Sequence, residues 1–579
     1  MLHMLKMLHL LLLTTIFSLI RLSVCQSSIL GPWEPCIPGN AALEINGTGS
    51  TAAGERGLVC AHFYVLLDPS DVPEDPHALR SPYIKLFVAK RLADSNMDDS
   101  GNTSFPFIFM NFGGPGGDCV DSLVKGAYKN LPASVLDSYD IITFDPRGVG
   151  SYVTGSLTCG FKEGFEYMDF VRSLFPSDQR ARADYAATRY MTGDAFPSNK
   201  TQTEDYWKVW NAVLKQCQKT QGQLMQHMST ADVARDMEEL RKQVGQERLN
   251  YYGLSYGTLL GATYANIFPN STGLMVLDGN TDPVPWFNNT GLALAPRLGS
   301  DLATAQAFDH FLRLCGGDDY LPTSCIFNGG SYDQTRMKWN QIWTSMEKRG
   351  SLYAPLGRFL MNATYYETYD AAQLVSKILG SLRLNPEYEN LAVLLQGIWL
   401  HLEDPEDSAK LTLPISSRDP TVPLNNVFSN LRYLAVICGE SPMSHSKKAY
   451  LKQALEETPR SGLFSYPYSA QAYSPCAVWP VQSKFTYTGP WSKDTSNPLL
   501  VIGNTYDPST PYTDSVAMAI DRLARARLLT IKEGTGHLLF GNSSPCAWDV
   551  VVAYFANGTV PAFGTSCSLD FVPFRPVIS

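Results

Sequence analysis

The segment Leu249-Asn250-Tyr251-Tyr252-Gly253-Leu254-Ser255-Tyr256-Gly257-Thr258 decides the fold. Leu249–Tyr252 has the composition of a strand, and the pattern from Thr258 to Ile267 is typical of a helix. Ser255 lies between them with a glycine on either side, and glycines relieve crowding where a serine projects from a sharp turn. The pattern alone also fits a glycine-rich turn with an incidental serine. The strand–turn–helix context favours a nucleophilic serine.

Short apolar segments that end in glycine or acidic turns recur along the chain. Helical patterns lie between many of them, and the clearest begins at Ser229, a capping residue followed by Asp232 and by apolar residues at helical spacing. This alternation predicts a mainly parallel sheet covered by helices. The predicted strands are Leu58–Leu67, Tyr83–Ala89, Phe105–Asn111, Tyr139–Phe144, Leu249–Tyr252, Leu274–Leu277, Pro498–Gly503 and Leu528–Lys532.

Residues 286–430 have a different pattern. Helical periodicity dominates there, as in Met337–Lys348, Ala371–Leu382 and Glu389–Leu402, and strands that run into glycine turns are missing. We predict a helical cap that shapes access to a site. The cap would be inserted between a first core part, residues 26–285, and a C-terminal core part, residues 431–579.

The N-terminus has the features of a targeting segment. Lys6 precedes an apolar run from Leu10 to Ile20, which predicts a signal peptide over residues 1–25 and hence secretion. A signal anchor that stays in the membrane is the alternative, although the run is short for a span. No later stretch approaches a transmembrane helix, so we expect no membrane anchor.

The chain contains 12 cysteines, of which Cys25 would leave with the signal peptide. Eleven would remain, so at least one should be unpaired. Proximity suggests three local disulfides, two more pairs would complete five bridges, and Cys119 would be left over. For each cysteine the alternative is a buried free thiol. The suggested pairs are Cys36–Cys60, Cys315–Cys325, Cys546–Cys567, Cys159–Cys217 and Cys438–Cys476.

Composition and charge exclude several classes of function. The formal net charge is −9 and 44% of residues are hydrophobic, so nucleic acid and anionic membranes are poor partners for this globular chain. Neither His-Glu-x-x-His nor paired Cys-x-x-Cys occurs, and we expect no metal and no cofactor. In a secreted chain, Asn-x-Ser/Thr sequons indicate surface glycans. They lie at Asn46, Asn102, Asn199, Asn270, Asn288, Asn362, Asn542 and Asn557.

A second glycine-rich stretch, residues 111–117, follows the strand predicted at Phe105–Asn111. Small residues allow backbone N–H groups to approach an oxyanion. The N–H of Tyr256, directly after the serine, would be one donor, and that of Gly114 the other. An ordinary loop and a phosphate cradle are the alternatives, but the stretch lacks the Gly-Lys-Ser/Thr of a phosphate-binding loop.

An acid and a base follow the last two predicted strands. Asp507 comes after Pro498–Gly503, and His537 comes after Leu528–Lys532. The order Ser, Asp, His is that of the α/β-hydrolase fold, which we therefore predict. His537 would take the proton of the serine and Asp507 would orient the imidazole. Asp278, after the strand that precedes the cap, remains the alternative acid.

Several motifs together resemble one family. They are Gly113–Gly117, Asp145–Gly148, Asn250–Thr258, Val276–Gly279, Cys476–Pro480 and the stretch from Leu499 to Cys567. They resemble the secreted tripeptidyl aminopeptidase and proline iminopeptidase group of α/β-hydrolase serine peptidases. The loop with Asp145 and Arg147 is interpreted as a salt-bridged brace of the active-site face.

The resemblance implies a cofactor-free exopeptidase that releases short peptides or single residues from free N-termini through an acyl-enzyme. It also implies that Glu440, in Cys438-Gly439-Glu440, holds the α-ammonium of the substrate. A structural or exposed glutamate is the alternative. The chain departs from the family at Asp118-Cys119, where a small hydroxyl residue is common after the glycine run.

Two other functions stay open at this stage. A carboxylic ester hydrolase would use the same fold and the same triad, which do not separate the two activities. A binding module on an inactive hydrolase fold is a third reading, against which the complete set of Ser255, Asp507 and His537 argues.

Overall fold

The computed structural model of the chain describes residues 28–36, 57–71, 83–96, 105–150, 155–193, 195, 197, 199–317, 323–359, 363–402 and 424–575. The predicted signal peptide and the sequons at Asn46, Asn102 and Asn362 lie outside the described residues.

The strands of the described chain form one large sheet and one hairpin. In order they are β1 Ser28–Leu30, β2 Glu34–Pro35, β3 Leu58–Leu66, β4 Tyr83–Arg91, β5 Phe107–Asn111, β6 Asp140–Phe144, β7 Leu249–Leu254, β8 Thr272–Asp278, β9 Ser351–Phe359, β10 Ala363–Asp370, β11 Leu499–Tyr506, β12 Ala526–Thr535 and β13 Ser566–Ser568. The large sheet has the order β1-β3-β4-β6-β5-β7-β8-β11-β12-β13, with β2 beside β3. All eight predicted strands belong to this sheet.

The sheet is parallel from β6 to β13 and antiparallel at the β1–β4 end. Its central strands are buried on both faces, which explains why β5 and β6 are almost continuously apolar. Side chains alternate between the two faces. Phe107 and Phe109 join one buried cluster, and Ile108 and Met110 join the other. The predicted mainly parallel sheet is thus confirmed.

Helices cover both faces of the sheet. Their bounds are α1 Cys119–Val124, α2 Ala133–Ser138, α3 Gly164–Ser173, α4 Arg180–Tyr185, α5 Lys200–Met225, α6 Thr230–Gln243, α7 Tyr256–Ile267, α8 Pro283–Phe287, α9 Leu294–Leu298, α10 Ser300–Gly316, α11 Tyr332–Arg349, α12 Ala371–Leu382, α13 Glu387–Leu400, α14 Leu424–Glu440, α15 Lys447–Ser461, α16 Tyr512–Ala517 and α17 Pro545–Asn557. As predicted, Ser229 caps α6, since its Oγ accepts from Asp232 N at 3.1 Å. None of these helices in the described chain is long and apolar enough to cross a bilayer.

An insertion between β8 and β11 lies over one edge of the sheet. Its helices α11, α12 and α13 correspond to the three helices predicted there. Two findings differ from the predicted cap of residues 286–430. The insertion also contains the antiparallel hairpin of β9 and β10, and α14 runs through the predicted boundary at residue 430. The tyrosines and threonines of Ala363–Asp370 favour strand, a signal that the helical periodicity around them obscured.

Five disulfides join the cysteines in the suggested pairs, Cys36–Cys60, Cys159–Cys217, Cys315–Cys325, Cys438–Cys476 and Cys546–Cys567. Cys119 is free and buried, and burial raises the pKa of its thiol to about 12. The thiol is therefore protonated at neutral pH.

The described sequons differ in exposure. Asn199, Asn270, Asn288 and Asn557 are exposed. Asn542 is half-buried, and its Nδ2 donates to the Leu538 carbonyl at 2.8 Å while its Oδ1 accepts from Asn385 at 2.9 Å. Asn542 is thus the least accessible of the five described sequon asparagines.

Candidate active site

Ser255 occupies the turn between β7 and α7 with φ 56° and ψ −123°. A positive φ is rare for a residue with a side chain and costs of order 1–3 kcal/mol, which the surrounding structure must offset. A hydrogen bond of 3.0 Å from Ser255 N to the Asp278 carbonyl fixes the turn to β8. The sharp turn predicted for this serine is present.

The glycines around Ser255 are required by close backbone approaches. A Cβ on Gly253 would lie 2.5 Å from the Gly257 carbonyl oxygen. A Cβ on Gly113 would lie 2.6 Å from the Leu254 carbonyl oxygen and 2.9 Å from Ser255 Cβ. The glycine loop of residues 113–117 is therefore packed directly against the serine turn.

Gly114 and Tyr256, the two predicted oxyanion donors, line one cavity with Ser255. Neither backbone N–H donates to another group within the part of the chain that the structure describes. The loop before them is held by a hydrogen bond of 3.0 Å from Gly113 N to Asn111 Oδ1. Two backbone N–H groups are thus available beside the serine, as stabilisation of an oxyanion requires.

His537 and Asp507 form a close pair. Nδ1 of the imidazole lies 2.9 and 2.8 Å from the two carboxylate oxygens of Asp507. The carboxylate is 2% exposed and also accepts from the backbone N–H groups of Ser509 at 2.8 Å and Thr510 at 2.9 Å. These donors hold Asp507 in place, and the bond to Asp507 engages Nδ1 and leaves Nε2 of His537 outside the pair. The hydroxyl of Thr510, 3.0 Å from Asp507 and 3.3 Å from His537 Nδ1, is a further member that the sequence did not single out.

The serine turn and the histidine both lie against the end of β8, at Asp278 and Gly279 respectively. The Ser255 backbone is bonded to Asp278, and a Cβ on Gly279 would lie 3.2 Å from His537 Cε1. Ser255 Oγ makes no hydrogen bond with the imidazole among the contacts of the described chain. Such bonds often tighten only when a substrate is bound.

Asp278, the alternative acid, has a different environment. It is completely buried, and its two oxygens accept from Leu539 N and Phe540 N, each at 2.9 Å. Burial raises the pKa of Asp278 to about 6, although these backbone donors oppose the rise. Asp278 makes no hydrogen bond with His537, so the imidazole is oriented by Asp507.

Glu440 lies behind the cavity wall and does not line the cavity. Its Oε2 accepts from Thr230 N at 2.7 Å, and its Oε1 accepts from the Thr230 hydroxyl at 2.6 Å and from Trp286 Nε1 at 2.8 Å. Tyr256 OH lies 2.8 Å from the same hydroxyl. With 6% exposure and three donors already bound, Glu440 lies outside the lining of the described cavity, and its contact with an ammonium stays a prediction of the family resemblance.

The loop with Asp145 and Arg147 is held by a partner that the sequence did not identify. Arg147 is paired with Asp236 of α6, through Nε and Nη2 at 2.7 Å each, and both side chains are buried. Asp145 instead accepts from Val120 N at 2.9 Å, next to Asp118. Burial and the neighbouring Asp118 raise the pKa of Asp145 to about 7.

Asp118, the charge beside the glycine loop, contacts Arg432 of α14 at 3.3 Å. A Cβ on Gly116 would lie 2.9 Å from Arg432 Cβ, so α14 packs tightly on the glycine loop. The departure from the family at Asp118 thus serves a contact between the core and the insertion.

The cavity that contains Ser255 has a volume of about 620 Å³. Residues of the insertion supply most of its wall, and hydroxyl, amide and phenol groups predominate. Of the described residues that line it, Arg383 alone is charged, and nothing in the sequence had marked it. The lining residues include Thr192, Thr281, Trp286, Ser300, Ser376, Arg383, Asn426, Ser429, Asn430, Tyr433, Tyr468, Gln471, Tyr473, Ser509 and Thr510. Across the described residues, no group of three or more His, Cys, Asp or Glu side chains is placed to hold a metal ion.

Comparisons with known proteins agree with this fold. The family model of the α/β-hydrolase fold matches residues 108–310, and the model of TAP-like proteins matches residues 463–567. A tripeptidyl aminopeptidase of Streptomyces lividans is 24% identical over 495 residues, which cover 84% of this chain and 81% of that protein.

Two mycobacterial proteins have similar identity. Serine protease Hip1 of Mycobacterium tuberculosis is 24% identical over 551 residues, covering 92% of this chain and 90% of that protein. Carboxylesterase B of the same species is 25% identical over 469 residues, covering 80% of each. The sheet, the serine turn and the two family models together identify this chain as a serine hydrolase of the α/β-hydrolase fold with a TAP-like C-terminal segment.

Proposed function

We propose that this chain is a secreted serine aminopeptidase that releases short peptides or residues from free N-termini through an acyl-enzyme. The observation that carries the proposal is that Ser255, in its strained turn, and the bonded pair of His537 and Asp507 both lie against residues 278–279 at the end of β8. A nucleophile, a base and a group that orients the base are the parts that acyl transfer needs.

The reaction follows from these positions. Ser255 Oγ attacks the scissile carbonyl carbon while Nε2 of His537 accepts the hydroxyl proton. The N–H groups of Tyr256 and Gly114 bind the oxyanion. The imidazolium then gives its proton to the leaving amine, which departs and leaves an ester on Ser255. A water molecule, deprotonated by His537, hydrolyses that ester.

Peptide substrates are supported by the relatives named tripeptidyl aminopeptidase and serine protease. The described cavity lining contains no carboxylate, so hydroxyl, amide and phenol oxygens would receive the substrate's ammonium. Secretion is supported by the five disulfides, since such bonds persist in oxidising compartments, and by the signal peptide predicted over residues 1–25.

The test is hydrolysis of paired peptides with free and blocked N-termini, beside simple carboxylic esters, with Ser255→Ala as the control. We expect free-amine peptides to be cleaved and Ser255→Ala to lose about 10⁶-fold in kcat. Cleavage of blocked peptides alone would refute the aminopeptidase activity. Activity retained by Ser255→Ala would refute the mechanism.

A carboxylic ester hydrolase is the second candidate, favoured by the relative named Carboxylesterase B. Ester hydrolysis needs the same attack by Ser255 but no site for an ammonium. Turnover of the esters without turnover of any peptide would select this candidate.

A further inference from the structure

Arg383 brings an isolated positive charge into the catalytic cavity. It follows α12, is exposed, and lines the cavity that contains Ser255. Its Nε donates to Ser509 Oγ at 2.9 Å. The charge acts on the phenols of Tyr433 and Tyr468, where it opposes the rise in pKa that burial causes. The guanidinium is therefore held among the groups that form the cavity wall.

The guanidinium makes no ion pair with any carboxylate of the described chain, and its Nε bond to Ser509 is its one hydrogen bond there. Its two terminal nitrogens thus keep their donors for a ligand. A planar guanidinium with free donors matches a carboxylate in geometry and charge. Since the described lining holds no other charged side chain, Arg383 determines the charge that this cavity prefers.

Two contacts place Arg383 beside the pair of His537 and Asp507. Its carbonyl oxygen accepts from His537 N at 2.8 Å, and its side chain is bonded to Ser509, whose N–H is bonded to Asp507. His537 is the proton donor to the leaving amine in the proposed reaction, so that amine lies against His537. The part of the substrate that follows the amine then passes Arg383.

We propose that Arg383 is a specificity-determining residue that binds a carboxylate on the leaving-group side of the scissile bond. The inference rests on the proposed peptidase function and specifies its substrate class. Two sources supply this chemistry, the terminal carboxylate of a leaving amino acid and the side chain of a leaving Asp or Glu. The preferred substrates are accordingly short peptides cut next to their C-terminus, or peptides cut before an acidic residue.

The experiment uses one free-amine acyl segment joined to four leaving groups: alanine, alanine amide, glutamate amide and glutamine amide. The acyl segment joined to p-nitroaniline reports turnover without a leaving carboxylate. The full-length enzyme is compared with Arg383→Gln and Arg383→Lys. Arg180→Gln is the matched control, because Arg180 is an exposed arginine whose side chain is 68% accessible and which does not line the cavity.

We expect the wild-type enzyme to favour alanine over alanine amide by about tenfold in kcat/KM, the size of a partly screened charge pair. A preference for glutamate amide over glutamine amide would show that the side-chain carboxylate of the leaving residue also binds Arg383. In Arg383→Gln, the ratios of kcat/KM for alanine over alanine amide and for glutamate amide over glutamine amide should fall to about one. Arg383→Lys should retain part of both preferences, and Arg180→Gln should keep the wild-type ratios. Added salt should lower the wild-type ratios.

Wild-type ratios near one, with turnover of the anilide, would overturn the inference and leave the proposed function intact. Ratios that persist in Arg383→Gln, or a charge preference that follows the acyl segment instead, would also overturn it. Failure of the wild-type enzyme to cleave the anilide and all four peptides would refute the peptidase function, and the role of Arg383 with it.

Discussion

Glu440 and Thr230 are joined by two hydrogen bonds, from the backbone N at 2.7 Å and from the hydroxyl at 2.6 Å. Because the hydroxyl of Thr230 is also bonded to Tyr256 OH, and Glu440 also accepts from Trp286, one buried carboxyl supports two aromatic residues of the cavity wall. Glu440 thus supports the cavity wall from beneath, whereas the family resemblance implies a place for it in the cavity itself.

The first prediction concerns stability and pH. Burial raises the pKa of Glu440 from 4.5 to about 7. The folded state therefore holds a proton that the unfolded chain has released, and stability falls as pH rises from about 4.5 to about 7. This contribution is about 3 kcal/mol. The side chain of Glu440→Gln cannot titrate, so the free energy of unfolding of this variant should fall less than that of the wild type between these pH values. Urea denaturation at fixed salt measures the difference.

The control for this prediction is Glu389→Gln, which removes an exposed carboxyl. The stability of Glu389→Gln should depend on pH in the same way as that of the wild type. Equal slopes for wild type and Glu440→Gln between pH 4.5 and 7 would contradict a raised pKa at Glu440. Asp145 and Asp278 contribute in the same direction, so the difference between the two proteins is the quantity to compare.

The second prediction separates the two candidate acids. Asp507→Asn removes the acceptor that orients His537 and should lower kcat by about 10⁴-fold with the fold retained. Asp278→Asn keeps that acceptor but disturbs the bonds to Leu539 and Phe540, so its loss should be mainly in stability. Thermal unfolding and steady-state kinetics on both variants provide the test. A larger rate loss from Asp278→Asn would reverse the assignment.

The third prediction concerns the glycine loop. Gly113 has φ +86°, and a Cβ there would meet the backbone of Leu254 at 2.6 Å. Gly113→Ala must displace either the loop or the serine turn, so kcat should fall by about 10²–10³-fold, the cost of losing an oxyanion donor. Gly245→Ala is the matched control, since Gly245 has φ +71° with no atom within 4 Å of the added carbon. It should cost about 1 kcal/mol of stability and no activity.

The sequence was sufficient for the parts of the site that depend on chain order. Ser255, Asp507 and His537 each follow a strand, and the carboxyl ends of parallel strands meet at one edge of a sheet, so strand prediction alone brings them together. Local patterns also located the cap of α6 and the three cysteine pairs that lie close in sequence. These features need no knowledge of how distant segments pack.

The sequence was not sufficient where a side chain acts through a distant partner. Arg383 enters the cavity because the insertion folds over the sheet edge, and Glu440 is bonded to Thr230 across 210 positions. Arg147 likewise finds Asp236 across 89 positions. No periodicity or spacing encodes such contacts, and the family resemblance supplied a role for Glu440 without its surroundings.

The last prediction concerns that buried ion pair. Arg147 donates twice to Asp236 and also to the carbonyl oxygens of Leu66, Leu67 and His227. Asp236→Ala leaves the guanidinium buried with backbone acceptors only, and should cost about 3–5 kcal/mol. The urea midpoint with all disulfides intact measures the loss.

The double variant Arg147→Met/Asp236→Leu tests where the cost arises. It removes both charges, so the penalty of an uncompensated buried cation disappears, but the three carbonyl oxygens lose their donor. Its stability should therefore lie between that of Asp236→Ala and that of the wild type. A double variant less stable than Asp236→Ala would mean that the bonds to Leu66, Leu67 and His227, and not the ion pair, hold this loop against α6.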